Sequence, residues 1–367
     1  MDNSNRVYLG TTDEDFDKAG MQRIPEKWED GQRTPLDRKH FEWWYFDAEL
    51  DDGSVIVIIF GPKPFFDTHF RIFPIIAVEY RYPNGKRIRD FYFERKAKEN
   101  YASSSDRCNI VINQNYFRGD LNEYEIYVNT KSIKARLKLV NKSISWRPGT
   151  GHLYFQKNNA EKYFAWFPSV PYGSVSGEIT VNGVPKQVIG RGYHDHNWGN
   201  EDPCSLFNHW YWSRSHIGDY ILLACDLVPR IEYNTNHAPF IVLFDKNRVI
   251  ADDYTKVSIR RSEPIIHSKT KKFINNTLVF SYNDEEIKFQ LKLERKRDIV
   301  LQSLQLMPSL HLFFKQVGKR PYYHRFLGDS TLNLEIDNRI REFKSSVLYE
   351  LMYYGKNRHV GSLSSIN

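Results

Sequence analysis

Ile75-Ile76-Ala77-Val78-Glu79-Tyr80-Arg81-Tyr82, followed by Pro83-Asn84-Gly85-Lys86 and then Ile88 to Glu94, decides the fold. Two runs rich in β-branched and aromatic residues flank an Asn-Gly pair, which tolerates the positive φ that a tight hairpin turn requires. The pattern returns at Gly177 to Val181, Asn182-Gly183 and Val184 to Ile189, and Tyr124 to Asn129 with Ser132 to Val140 predicts another antiparallel pair. Upstream, Glu42 to Glu49 turns through Asp51-Asp52-Gly53 into Val55 to Phe60. Downstream, Trp210 to Arg214 precedes Tyr220 to Leu227, and Phe240 to Phe244 turns into Val249 to Asp253. Leu278 to Tyr282 pairs with Ile287 to Glu294, and Asp329 to Ile336 with Phe343 to Tyr354. Short strands at hairpin spacing predict an all-β protein of sandwich or barrel type with little helix. Two strand sets, separated near residues 200–216, predict tandem β-domains at 39–215 and 216–367 behind a polar arm or lid at 1–38. Within that arm, Asp13-Glu14-Asp15-Phe16-Asp17-Lys18 predicts a short helical turn. Ser303 to Gln316 is the best candidate for a longer helix, although Pro308 interrupts it.

Composition supports this reading. The chain has 367 residues, long enough for two or three domains, and aromatic residues make up 15% of it against four Met, which favours strands over helices. A mean hydropathy of −0.59 is that of an ordinary globular protein. The net charge of +7 is spread along the chain, whereas nucleic-acid binding concentrates basic residues on one element. Lys269-Thr270-Lys271-Lys272 and Arg295-Lys296-Arg297 are short and sit beside acidic residues, so they predict solvated hairpin faces and no nucleic-acid partner. No apolar run approaches the ~20 residues of a membrane span, and the polar N-terminus lacks a signal-peptide pattern. Transient contact with a membrane surface stays open. Cys108, Cys204 and Cys225 are too few for a disulfide framework, so the default compartment is a reducing cytoplasm. Phosphate-cradling glycine loops and a Gly-x-Ser-x-Gly elbow are missing from the sequence, and no nucleotide, flavin or other cofactor is expected.

Three aromatic-polar clusters could carry chemistry. In His40-Phe41-Glu42-Trp43-Trp44-Tyr45-Phe46-Asp47, strand alternation puts Glu42, Trp44 and Phe46 on one side and Trp43, Tyr45 and Asp47 on the other. Either both faces are covered by neighbouring sheets, or Glu42 stands beside indoles in a ligand cavity. In Gly190-Arg191-Gly192-Tyr193-His194-Asp195-His196-Asn197-Trp198-Gly199, His194 and His196 share one side and Tyr193, Asp195 and Asn197 the other. His-x-His can begin a metal site, but His209, His216 or Asp226 could complete it only through tertiary placement, so no metal is assigned and the question stays open. The carboxyl, phenol and carboxamide on the second face suit proton donation or carbonyl polarisation. The alternative is that His and Asp merely satisfy backbone groups at a domain junction. The bracketing glycines predict close backbone approach or a bulge. In Asn208-His209-Trp210-Tyr211-Trp212-Ser213-Arg214, Trp210 and Trp212 share a face and suit the wall of an apolar cavity.

At these clusters the chain resembles the carotenoid 1,2-hydratase family, the hydroxyneurosporene-synthase-like, lipocalin-like proteins. Glu-Trp-Trp-Tyr-Phe at 42–46 and Gly-Tyr-His-Asp-His-Asn-Trp-Gly at 192–199 carry the resemblance, with Pro321 to Phe326 and Tyr349-Glu350-Leu351-Met352 behind them. The resemblance implies two tandem calycin-like β-domains with a pocket within or between them. It also implies divided functions: some relatives hydrate isoprenoid double bonds, and some fungal relatives are cofactor-free cyclases that form decalins by Diels–Alder reaction. The expected function is therefore a cofactor-independent enzyme of secondary metabolism that cyclises or hydrates an apolar polyene or terpenoid at the domain junction. The alternative is a lipocalin-like carrier of a hydrophobic ligand. In a hydratase, protonated Asp195 donates to an alkene. In a cyclase no strong acid is needed, and Tyr193, Asn197 or a Trp N–H polarises a carbonyl on the dienophile. In either, His194 or His196 tunes or orients Asp195. Glu42, Trp44, Phe46, Trp198, Trp210 and Trp212 are expected to line the substrate site. Substrate identity and oligomeric state stay open.

Overall fold

The computed structural model describes residues 5–36, 40–64, 72–158, 160–233, 237–245, 247–303, 321–337 and 339–357. About 65% of the chain is strand and 8% helix, arranged as two curled antiparallel sheets of lipocalin-like character. Ser303 closes a strand, and the rest of the helix expected over 303–316 lies outside the described residues.

The chain divides into two compact units, Tyr8–Pro203 and Cys204–Asn367 with Met1–Val7. The division falls ahead of the Phe207–Ile217 strand, which runs unbroken through residues 215 and 216. In the first unit the hairpins form where turn chemistry places them. Arg81 pairs with Arg87 across Asn84-Gly85, and Val181 pairs with Val184 across Asn182 (φ 50°) and Gly183 (φ 83°). The two residues of positive φ match the right-handed twist of the flanking strands. Ile133–Asn141 alternates buried and exposed over its first seven residues, as a half-buried strand requires.

The order of strands brings distant sequence together. Phe41–Leu50 lies between Val55–Gly61 and Val184–Gly199, and the latter is followed by Ala160–Val181 and Ile133–Asn141. Trp44, Phe46, Ile58, Phe60, Phe117 and Leu139 belong to the buried core on one face of this sheet. From Tyr8 onward, the segment expected as a polar arm is part of this unit. Asp13–Ala19 is a helix capped by Thr12, and Phe16 and Met21 are buried with Ala165, Phe167 and Trp198.

In the second unit the closing strand Arg339–Tyr353 lies beside Phe207–Ile217, the first strand of the unit. Its interior is mostly apolar, with Tyr211, Leu222, Leu278, Leu291 and Leu332 among the buried residues. Asp226 is buried there and accepts from Arg261 Nε (2.8 Å) and Nη2 (2.7 Å). Burial opposes its ionisation, yet the Arg261 guanidinium holds the carboxyl well below the usual range. The expected solvated face at 269–272 needs correction at two residues, since Thr270 and Lys272 are buried. Lys272 donates to the Gly355 carbonyl and lies over the Tyr353 ring.

The glycines of the 190–199 stretch mark close approach. A Cβ on Gly190 would stand 2.3 Å from the Glu49 carbonyl oxygen and 2.8 Å from Leu50 Cα. Gly190→Ala is therefore expected to cost about 1–3 kcal/mol in urea unfolding, because the obstacle is backbone. A loss below about 0.5 kcal/mol, the range of a harmless surface change, would contradict that reading. The bulges fall on the neighbouring strand instead. Register shifts occur between Phe167 and Val170 and between Val170 and Gly173, while Gly190 to Gly199 pairs in unbroken register with Leu50 to Phe41.

Candidate functional site

Cross-strand pairing sorts the candidate residues onto two faces. Tyr193, Asp195 and Asn197 stand opposite Asp47, Tyr45 and Trp43, and Asn197 also pairs with Trp166. Directly paired residues share a face. The other face gathers His194, His196 and Trp198 with Phe46, Trp44 and Glu42. Asp195 and the two histidines, adjacent in sequence, thus serve different surroundings.

Asp195 is the centre of the first face. Only 7% of it is exposed, and its carboxyl accepts three hydrogen bonds. Tyr193 Oη (2.8 Å) and Trp166 Nε1 (3.0 Å) donate to Oδ2, and Asn197 Nδ2 donates to Oδ1 (2.8 Å). Trp166 Nε1 also lies 3.3 Å from Tyr193 Oη, and Trp146 meets Trp166 edge-on with centroids 5.8 Å apart. Burial pushes the Asp195 pKa up to about 6, outweighing Tyr193, Trp166 and the smaller effects of His194 and Asn197, which favour the anion. A carboxyl has about four acceptor sites. With three filled, the fourth can hold a proton without displacing any donor.

On the opposite face both histidines are fully engaged. His194 Nδ1 donates to the Tyr45 carbonyl (2.8 Å) and Nε2 lies 3.0 Å from Asp30 Oδ2. His196 Nδ1 donates to the Glu29 carbonyl (3.0 Å) and Nε2 lies 2.8 Å from Glu42 Oε1. Carbonyls only accept, so each Nδ1 carries hydrogen, and a further proton sits between each Nε2 and its carboxylate. Burial works against the His194 imidazolium, but the Asp30 carboxylate outweighs it and the pKa is raised. Asp30 also accepts from Tyr124 Oη (2.6 Å), and Glu42 accepts from Arg33 N and from Thr34 N and Oγ1. Glu29 pairs with buried Arg147. Together these bonds fasten residues 29–34 across the sheet.

Several expectations are redistributed by this arrangement. His194 and His196 make no hydrogen bond to Asp195, and serve the N-terminal segment instead. Trp44 and Phe46 belong to the core; Trp44 stacks on His196 at 4.5 Å and donates to the Asp30 carbonyl. Trp198 is buried against Phe16, Met21 and Phe167. Trp210 and Trp212 belong to the other unit, where Trp210 meets Phe207 and Tyr354 edge-on. Trp166 is the residue that the sequence reading missed. Its signal was the aromatic run Tyr163-Phe164-Ala165-Trp166-Phe167, masked by Pro168 and Pro171, which argue against a central strand.

Fold and cluster together define a two-unit, lipocalin-like all-β protein with a buried carboxyl among aromatic donors. The chain belongs to the Diels-Alderase-like family, whose model matches residues 23–303. It is 27% identical over 218 residues to hydroxyneurosporene dehydrogenase of Chlorobaculum tepidum, covering 51% of this chain and 55% of that protein. It is 23% identical over 207 residues to Diels-Alderase ORF3 of Pyricularia oryzae, covering 52% and 51% respectively. The chain spans about half the length of the curated relatives it matches. Its fold is similar to that of kievitone hydratase from Nectria haematococca, with TM-score 0.54 and 11% identity over 95% of this chain and 97% of that one.

Proposed function

We propose that this protein is an enzyme of the cyclase or hydratase kind acting on an apolar polyene or terpenoid of secondary metabolism, with Asp195 as its proton-bearing centre. The observation that carries the reading is a buried carboxyl whose pKa is pushed up to about 6 among Trp166, Tyr193 and Asn197. An unperturbed Asp, near 3.9, is almost wholly ionised at neutral pH and donates no proton. Burial brings this one into the range where general acids operate.

In a hydration, the Asp195 proton adds to one alkene carbon and leaves a tertiary carbocation on the other. Aromatic π faces shelter the cation until water captures it, and the oxonium proton returns to the carboxylate. In a cyclisation, a hydrogen bond from Tyr193 or protonated Asp195 to a carbonyl on the dienophile lowers its acceptor orbital. The site then holds diene and dienophile together, removing an entropic part of the barrier. Names of the relatives support both versions, one a Diels-Alderase and another a hydratase.

Incubating the purified chain with an acyclic terpenoid, and separately with a linear polyene bearing a carbonyl-activated alkene, tests the reading by product mass. Hydration gives a product heavier by one water, and cyclisation gives an isomer. A product lighter by two hydrogens, or tight binding of either compound without turnover, would contradict the proposal. The latter result identifies a carrier.

A further inference from the structure

The second unit contains a polar cluster that the proposed chemistry does not use. His267 sits in the turn after the Val257–Ile266 strand, closed by hydrogen bonds from His267 N to the Lys272 carbonyl and from Lys271 N to the His267 carbonyl. Asp298 lies on Ile287–Ser303 between register shifts at Arg295/Arg297 and Asp298/Val300. Such irregularities re-aim side chains. His324 lies on Tyr322–Ile336, opposite Leu301 on one side and Leu351 on the other. One ligand-type atom from each of the three residues falls within 4.8 Å of the other two.

His324 makes the cluster unusual. It is fully buried, and neither ring nitrogen has a hydrogen-bond partner among the described residues. Leaving a buried polar group unsatisfied costs about 1–3 kcal/mol, so such a group calls for an explanation. Its ring meets that of His267 edge-on with centroids 4.9 Å apart. Its two neighbours, by contrast, are held from behind. Asp298 Oδ1 takes Arg295 Nε (3.3 Å) and Nη2 (3.1 Å), while Oδ2 lies 2.7 Å from His267 Nε2. His267 Nδ1 lies 3.2 Å from both N and Oγ1 of Thr270. Thr270 N–H donates to His267 Nδ1, so the ring proton sits on Nε2 and donates to Asp298 Oδ2, and a bound ion would displace that proton. Outer contacts of this kind fix the rings and carboxylates of metal sites.

We propose that His267, Asp298 and His324 form a binding site for a divalent ion of the zinc type. Two imidazoles and one carboxylate oxygen suit Zn²⁺, which takes such donors at about 2.0–2.2 Å and leaves a fourth position open. Donors around a tetrahedral ion stand roughly 3.4 Å apart. His267 Nε2 and Asp298 Oδ2, now 2.7 Å apart, would open by about 0.7 Å, and His324 would close on them. The Arg295 charge works against a dication, so the site depends on its imidazoles. A second trio, Asp30, Cys108 and His194, also holds a buried oxygen unpartnered among the described residues, Asp30 Oδ1, but both nitrogens of its histidine are already engaged. Asp30 Oδ2 already serves Tyr124 and His194, and the Cys108 thiol is directed at the Phe117 carbonyl.

The test is equilibrium dialysis of the whole chain against Zn²⁺, and separately Co²⁺, with elemental analysis and the visible spectrum of the cobalt form. One ion per chain is expected. His324→Gln and Asp298→Asn should each lower affinity by at least about 100-fold, the upper end of losses seen when only an outer partner is removed. His216→Gln, at an exposed position, should leave binding unchanged. X-ray absorption on the unmutated zinc form should show nitrogen and oxygen donors with imidazole scattering, which decides the matter even if a variant fails to fold. The proposal is overturned by absence of stoichiometric uptake, by uptake that survives both substitutions in folded protein, or by a sulfur donor in the absorption spectrum.

Discussion

Asp195→Asn is expected to lower turnover by about 10²–10⁴-fold, the contribution of a well-placed proton donor, with substrate affinity largely kept. The amide has nearly the shape of the carboxyl, and its oxygen can still accept from Tyr193 and Trp166. Turnover of the parent protein should fall by about tenfold per pH unit above roughly pH 6 if protonated Asp195 is the acid. The same substitution has a signature in stability. The folded-state pKa, about 6, is raised above the unbound value of 3.8, so the native state holds this proton more tightly than the unfolded chain does. The stability it contributes is complete below about pH 4 and is lost as pH rises through about 6, amounting to about 3 kcal/mol. Asn carries no such term. Urea unfolding of both proteins at pH 4 and pH 7 should show the variant gaining on the parent by that order at the higher pH. An equal margin at the two values would mean that Asp195 titrates normally.

Breaking the His194–Asp30 pair should give the largest loss of stability. Both side chains are buried, with His194 Nε2 and Asp30 Oδ2 3.0 Å apart, so His194→Ala leaves a carboxylate with no imidazolium in the interior. Removing one partner of a buried pair typically costs about 3–5 kcal/mol. The pH dependence has a definite sign. The His194 pKa is raised in the folded state, so its stabilisation is complete below the unfolded value near 6.5 and is lost as pH climbs through the higher folded value. The gap between parent and His194→Ala should therefore be wider at pH 6 than at pH 9. A gap under about 1 kcal/mol at pH 6, the worth of an exposed pair, would show that the segment at 29–34 is not held by this contact.

What could be read in the sequence was local. Asn84-Gly85 and Asn182-Gly183 announce their hairpins because turn backbone geometry depends on the two residues themselves. Strand parity likewise separates Asp195 from His194 and His196, since neighbours in an extended chain point to opposite sides. Contacts across the chain could not be read that way. Nothing near His194 or His196 reveals that Asp30 and Glu42 would receive their protons from more than a hundred residues away. Trp166 was hidden by two prolines that the strand accommodates through irregular register. The Val257–Ile266 strand escaped notice because Arg261, a charge in its middle, faces inward to Asp226. Trp44, Phe46 and Trp198 carry the indoles and ring that suggest a cavity wall, and their residue types are equally those of a packed core.

The proposed chemistry depends most on the protonation of one carboxyl, and that can be observed directly. Carbon-13 NMR of protein labelled at the Asp carboxyl carbons, with Asp195→Asn supplying the assignment by difference, gives the titration midpoint of this residue alone. A midpoint near 6 is predicted. A midpoint at the ordinary value of about 3.9 or below would contradict that chemistry, since the carboxyl would then be an anion held by its three donors and no source of protons at neutral pH.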